Sequence, residues 1–184
     1  NIMNRIFVYG SLCNYTQLKE VLGRIPQNYI GTLNGFKRNN TATWKFYKNS
    51  KKNNKWFSNN GKFIKFQPSY LTLEKDNTNK TIGLVITVTD KELHLLDDRE
   101  GVLDKVPCYK RITVTLVDNS SAWTYLSINT TITKSSKCPS EYINACENDL
   151  ATAYSEILSN FNAHKSQFTL PIIETDGVYS LNKE

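Results

Sequence analysis

The sequence predicts an α+β domain in which a mixed, barrel-like β-sheet is accompanied by few helices. Two observations predict it. Short apolar runs, rich in β-branched and aromatic residues and bounded by turn residues, recur along much of the chain. Helical spacing, by contrast, is confined to brief stretches until Pro139. With 184 residues and 39% hydrophobic content, the chain can bury one substantial core, so one domain over residues 1–184 is expected.

Residues 2–9 are apolar and stop at Gly10-Ser11, the pattern of a buried strand entering a tight turn. Residues 15–22 place Leu18, Val21 and Leu22 at helical spacing, with Gly23 beyond them as a stop. Residues 28–36 read as a second strand, kinked at Gly35. Residues 37–62 show no period. Lys and Asn crowd there around Trp44, Phe46, Tyr47, Trp56 and Phe57, and an insertion or a mobile hairpin is expected. Residues 63–66 and 70–74 are short strand candidates. Residues 81–88 are the strongest strand, with Gly83 where a neighbouring backbone can come close. Residues 90–96 form one or two helical turns, with Asp90 as the cap. Residues 111–118 alternate Ile112, Val114 and Leu116 against Arg111, Thr113 and Thr115, a half-buried strand that turns at 118–120 into residues 121–128. Pro139-Ser140-Glu141 opens the longest helix, 139–161, with a break near Leu150. Residues 168–179 supply a last strand or an extended wrap.

Composition narrows the function before any motif does. There is no run of about 18 apolar residues, so no membrane partner is expected. No leader-like segment precedes the first strand, and a cytoplasmic location is expected. Cys13, Cys108, Cys138 and Cys146 form no CxxC pair, and His94 and His164 lie in unrelated contexts. A metal site is therefore not expected, and the cysteines read as reduced thiols. The net charge is +6. Residues 45–56 interleave lysines with aromatic rings, as single-strand binders do, but a solvated Lys/Asn-rich segment is the simpler reading. Nucleic acid is not the expected partner.

Three segments have the residue types for chemistry. Phe7-Val8-Tyr9-Gly10-Ser11-Leu12 is a strand ending in a turn whose consecutive backbone N–H groups suit a carboxylate or phosphate, although many such turns are purely structural. Leu95-Leu96-Asp97-Asp98-Arg99-Glu100-Gly101-Val102 sets three carboxylates between apolar brackets just before a glycine. It reads either as a solvated acidic turn or as a carboxylate desolvated at a site mouth. Cys108-Tyr109-Lys110-Arg111 and Ala122-Trp123-Thr124-Tyr125 carry tyrosines that can serve a substrate or the core.

In this order, these segments resemble the γ-glutamylcyclotransferase-like superfamily, which includes γ-glutamyl cyclotransferases, γ-glutamylamine cyclotransferases and the plant avirulence-induced proteins. Five motifs carry the resemblance: strand-Tyr-Gly-Ser-Leu, Leu-Asp-x-x-Glu-Gly-Val, Tyr-x-Arg-x-x-Val, Ala-Trp-x-Tyr and Pro-Ser-x-Tyr. It runs from about Phe7 to about Leu158 and implies a barrel of about six strands with flanking helices. It also implies that Tyr9, Gly10, Ser11 and Leu12 form the loop whose amides hold the substrate α-carboxylate, and that Glu100 is the acid/base. Tyr109, Tyr125 and Tyr142 fall on further substrate-binding tyrosines. The implied reaction is attack of a γ-glutamyl α-amine on its own γ-carbonyl, giving 5-oxoproline and a free amine without metal or cofactor. The serine of the turn is followed by Leu12 rather than by the asparagine of the glutathione-cycle enzymes, which places the chain nearer the γ-glutamylamine and avirulence-induced branch. A non-catalytic ligand-binding or interaction module on the same fold is the alternative. The leaving group and the oligomeric state stay open.

Overall fold

The computed structural model describes residues 3–44, 53–148 and 154–179. The opening apolar run forms β1 (Met3–Val8), whose second half, Ile6 to Val8, is covered on both faces. Ile6 and Val8 pack with Leu84, Ile86, Leu96 and Ile157, while Phe7 packs with Leu73, Val85 and Phe161 on the other side. A strand buried on both faces reads as a continuous apolar run rather than an alternation. The same holds for its antiparallel partner, where Ile6 faces Ile86 and Phe7 faces Val85.

That partner is β4 (Lys62–Thr89), 28 residues long. Drawn straight it would span roughly 90 Å, far wider than a domain of this length. It bends where its pairing with β2 (Asn28–Thr43) slips, between Asn34↔Lys80 and Phe36↔Lys75. There Asp76 Oδ1 accepts from Thr78 N at 2.9 Å and Thr78 Oγ1 at 2.6 Å. The three expected strands 63–66, 70–74 and 81–88 are thus one bent strand. The polar residues between them form a bulge, not an ending.

β3 (Lys55–Asn59) pairs with β4 as a hairpin, turned at Asn60-Gly61 with positive φ at both. β5 (Tyr109–Thr115) and β6 (Ser121–Ser127) form the expected hairpin, with Asp118 Oδ1 accepting from Ser120 N at 2.9 Å. β6 lies parallel to β1. β7 (Ser136–Pro139) runs parallel to β4, β8 (Ile172–Ile173) parallel to β7, and β9 (Gly177–Tyr179) antiparallel to β3. Among the described residues this is one mixed sheet of nine strands rather than about six, and the surplus is β7, β8 and β9, which are two to four residues long. The described pairings run from β5 to β9 without closing a barrel.

Four helices are described. α1 (Tyr15–Leu22) is capped by Asn14, whose side chain accepts from Thr16 N and Gln17 N, and it stops at Gly23. α2 (Asp90–Arg99) starts at the residue expected to cap it: Thr89, not Asp90, is the cap, with Glu92 completing a capping box. The expected 139–161 helix is two, α3 (Ser140–Glu147) and α4 (Ser155–Lys165); Leu150, where a break was expected, lies outside the described residues. Among the described residues no helix is long and apolar enough to cross a membrane.

Residues 37–43, which show no period in the sequence, continue β2. Their missing signal has a cause: Arg38, Asn39 and Asn40 are buried polar residues. Asn40 donates to Leu170 O and accepts from Leu170 N, and Asn39 accepts from Thr169 N, stitching the C-terminal segment to the sheet. Arg38, 1% exposed, donates from Nε to Tyr9 O at 2.6 Å, from Nη2 to Ile82 O at 2.5 Å and from Nη1 to Asn160 Oδ1 at 2.6 Å. Its guanidinium also lies 5.5 Å from the centroid of the Phe161 ring. Residues 45–52 lie outside the described residues.

Arg38→Met is expected to lower the unfolding free energy by about 3 kcal/mol or more, because Tyr9 O, Ile82 O and Asn160 Oδ1 each lose a bond to a buried charged donor. An unchanged urea midpoint would contradict this. His164 Nδ1 accepts from Arg38 N at 3.2 Å, and burial followed by the Arg38 charge holds the imidazole down to about 4 from 6.5. The unfolded chain takes up that proton first. The stability this residue confers is therefore complete above pH 6.5 and lost as the pH falls through 4. His164→Gln should flatten the decline in urea midpoint over that window, and identical slopes in the two proteins would exclude His164 as its source.

Candidate active site

β1 delivers Tyr9 just past its last paired residue, and Gly10 leads into a single 3₁₀ turn, Ser11–Cys13. Cys13 N donates to Gly10 O at 2.9 Å and Asn14 N to Ser11 O at 3.1 Å, after which α1 begins. The first amides of a helical turn have no partner within it, and here those are the amides of Ser11 and Leu12.

Glu100 is placed by the way α2 ends. Val102 N donates to Asp97 O at 3.0 Å and Gly101 N to Asp98 O at 3.1 Å, the paired bonds of a Schellman ending. That ending needs a left-handed residue after the cap, and Gly101 supplies it at φ 68°. A Cβ there would also meet Asp104 Oδ2 at 2.9 Å. The Glu-Gly pair in the sequence therefore fixes Glu100 as the C-cap of α2.

The two ends meet in a cleft of about 360 Å³ that brings together all eight residues expected from the sequence: Tyr9, Gly10, Ser11, Leu12, Glu100, Tyr109, Tyr125 and Tyr142. Phe7, Val8 and Leu71 complete its wall. The register of β4 puts Leu71 there, and strand periodicity alone does not reveal it. Among the described lining residues Glu100 is the one carboxylate. Its side chain is 14% exposed. Burial raises its pKa above the ordinary carboxylate value, partly offset by the charge and hydrogen bond of Arg99. Arg99 Nη1 lies 2.5 Å from Glu100 Oε1, and Nη2 donates to Ser11 Oγ at 3.1 Å, so one guanidinium joins the carboxylate to the turn.

The neighbouring acids are used differently. Asp97 accepts from Tyr125 Oη at 2.7 Å and pairs with Arg111 at 3.2 Å, and neither Asp97 nor the exposed Asp98 lines the cleft. The tyrosine rings wall the cleft while their hydroxyls brace it. Tyr9 donates to Tyr125 O at 2.5 Å, Tyr109 donates to Leu71 O at 2.7 Å, and Tyr142 Oη accepts from Leu71 N at 3.3 Å. Burial lifts all four phenols above their ordinary value, so they are neutral. Cys13 is buried, its Sγ 3.3 Å from Val8 O, and burial pushes its thiol up to about 11, which leaves no thiolate nucleophile. All four cysteines are buried free thiols.

A second, wider chamber of about 1140 Å³ shares Ser11, Glu100, Tyr109 and Tyr142 with the cleft and is walled further by Trp44, Phe57 and Tyr70. Trp44 and Phe57 belong to the 37–62 stretch, which is expected from the sequence to reshape the mouth of the site, although no period marks which of its residues reach it.

The γ-glutamyl cyclotransferase, AIG2-like family matches residues 6–144. No curated protein matches. Among solved structures, the chain is similar to an uncharacterized protein of Homo sapiens at 15% identity, covering 100% of this chain and 95% of that one with a TM-score of 0.66. It is similar to a γ-glutamyl cyclotransferase at 15% identity, covering 89% and 88% with a TM-score of 0.62. A yeast γ-glutamyl cyclotransferase specific to glutathione is 13% identical, with 89% and 97% covered and a TM-score of 0.52. At these identities the likeness is one of fold.

Because the Arg99 charge holds Glu100 below the value that burial alone would set, Arg99→Met should raise the Glu100 carboxyl pKa further. Titration of the side-chain carboxyl by ¹³C NMR in both proteins would measure this. A midpoint unchanged or lowered in the variant would show that Arg99 does not stabilise the carboxylate.

Proposed function

Because this chain belongs to the γ-glutamyl cyclotransferase, AIG2-like family, we propose that it converts a γ-glutamyl amide into 5-oxoproline and a free amine. The α-carboxylate of the substrate rests on the amides of Ser11 and Leu12, and the γ-carbonyl lies beside Glu100. Glu100 takes a proton from the α-ammonium, and the freed amine attacks the γ-carbonyl. The new C–N bond closes the five-membered ring, and the γ-amide C–N bond breaks. The departing nitrogen receives both the proton held by Glu100 and the second proton shed by the ring nitrogen, so that the amine leaves as an ammonium and the lactam nitrogen keeps one N–H. No water is consumed. Because the attack is intramolecular, holding the chain folded supplies much of the rate, and the tyrosine walls of the cleft suit that task.

The observation that carries the reading is the meeting of one partly desolvated carboxylate and one amide-bearing turn in the same cleft. A raised carboxyl is closer in pKa to the ammonium it must deprotonate, and an acid/base works best near the operating pH. The substrate brings its own nucleophile. This fits a cleft whose lining holds Ser11 without a histidine to activate it. The buried free thiols fit a reducing compartment such as the cytoplasm.

One observation favours the alternative of a non-catalytic ligand-binding module: the Arg99 guanidinium already occupies Glu100 at 2.5 Å. In the enzyme the substrate ammonium has to share or displace that contact. In a binding module it persists.

The two readings separate in one assay: 5-oxoproline release from γ-glutamyl amino acids, γ-glutamyl-ε-lysine and glutathione, with Glu100→Gln alongside. The variant is expected to lose about a hundredfold or more in kcat while its urea midpoint holds. In the wild type, kcat/KM should rise with pH through a midpoint above the ordinary carboxylate range, and that limb should vanish in the variant. Undiminished turnover by Glu100→Gln would remove Glu100 from the mechanism.

A further inference from the structure

Resting on the cyclotransferase reading, the geometry points to a substrate whose leaving amine carries an aromatic ring, seated in the outer chamber. The cleft and the chamber share Ser11 and Glu100. With the γ-glutamyl group in the inner cleft and its γ-carbonyl beside Glu100, the nitrogen that departs faces the chamber, the wider of the two spaces.

The chamber walls state what fills it. Tyr70 stands edge-on to Tyr142 with centroids 5.0 Å apart, and Trp44 tilts at 50° to Tyr70 at 6.0 Å. Phe57, also in the wall, is stacked on a ring behind it at 4.2 Å. Each ring is held by another ring, so the apolar surface exists before a ligand arrives and little ordering is required on binding. Aromatic rings prefer to meet others edge-on or offset at these spacings, so a ring on the leaving group extends the array. Charge does not make the choice: Glu100 and Glu141 line the chamber against Arg99, also in its lining, and Lys55 Nζ lies 5.6 Å from the Trp44 centroid. The selection falls on the ring, and a carboxylate on the leaving amine is tolerated or not independently of it.

Matched substrates test this on the intact protein: γ-glutamylphenethylamine against γ-glutamylethylamine, and γ-glutamylphenylalanine against γ-glutamylalanine, each followed by 5-oxoproline release. The aromatic member of at least one pair is expected to have a kcat/KM about tenfold or more above its partner, the scale set by burying one ring. Preference in the first pair alone would support the ring and show that the carboxylate is disfavoured. Ratios within about twofold in both pairs would overturn the inference while leaving the cyclotransferase reading intact. No release from any of the four would overturn that reading and this inference with it. In Trp44→Ala the aromatic-to-small ratio should fall toward one, and a ratio equal to that of the wild type would overturn the wall as the source of selection.

Discussion

A guanidinium buried in a core has to find acceptors there, and Arg38 finds them in three separate elements: Tyr9 O at the end of β1, Ile82 O in β4 and Asn160 Oδ1 in α4. These are two main-chain carbonyls and an amide rather than a carboxylate. Burial pulls the Arg38 pKa down to about 10, which leaves it charged at neutral pH. Such a charge is costly to bury unless its donors are filled, so the three elements are constrained to converge on it. The residue it grips just past β1 is the one that opens the Tyr9-Gly10-Ser11-Leu12 turn. The same bond therefore holds the sheet to α4 and sets where the candidate site begins.

From that anchor the site is assembled by terminations rather than by the middles of elements. β1 ends at the turn, α2 ends at Glu100, and a Schellman bond pair with Gly101 decides where that ending falls. Element ends carry unpaired backbone groups and admit sharp turns, which is why ligand sites gather there. Arg99 then ties the two endings together by reaching both Glu100 and Ser11. Asp97, three residues earlier in the same helix, is spent on Tyr125 and Arg111 and secures the helix to the β5–β6 hairpin. One short acidic segment thus holds an acid that fastens the fold and another that faces the cleft.

Phenol groups show a similar division. The rings of Tyr9, Tyr109, Tyr125 and Tyr142 enclose the cleft, while their hydroxyls satisfy backbone or carboxylate groups in the surrounding strands. A cavity walled this way is rigid because moving a ring breaks a buried hydrogen bond. The outer chamber is held instead by ring-on-ring contacts, which fix shape without fixing polarity.

Much of the candidate site is legible in the sequence. The strand-to-turn step at Tyr9-Gly10-Ser11 and the Glu100-Gly101 pair are local signals, because a turn and a helix ending are decided by neighbouring residues. The apolar runs at 6–8 and 81–88 likewise declare doubly covered strand segments. The rest depends on partners distant in the chain. The stretch 37–43 shows no period because its buried face is polar, and Arg38, Asn39 and Asn40 become intelligible as core residues only beside Tyr9, Thr169 and Leu170. The polar bulge at Asp76 reads as a strand end until β2 is laid against it. Whether Asp97 or Glu100 faces the cleft is set by one turn of helix and by the position of Arg111. The sequence by itself determined the turn, the helix ending and the apolar strands, since each is a contest among adjacent residues. Only the tertiary structure decided which polar groups are buried and which rings share a chamber, since burial depends on what packs against a residue, not on what precedes it.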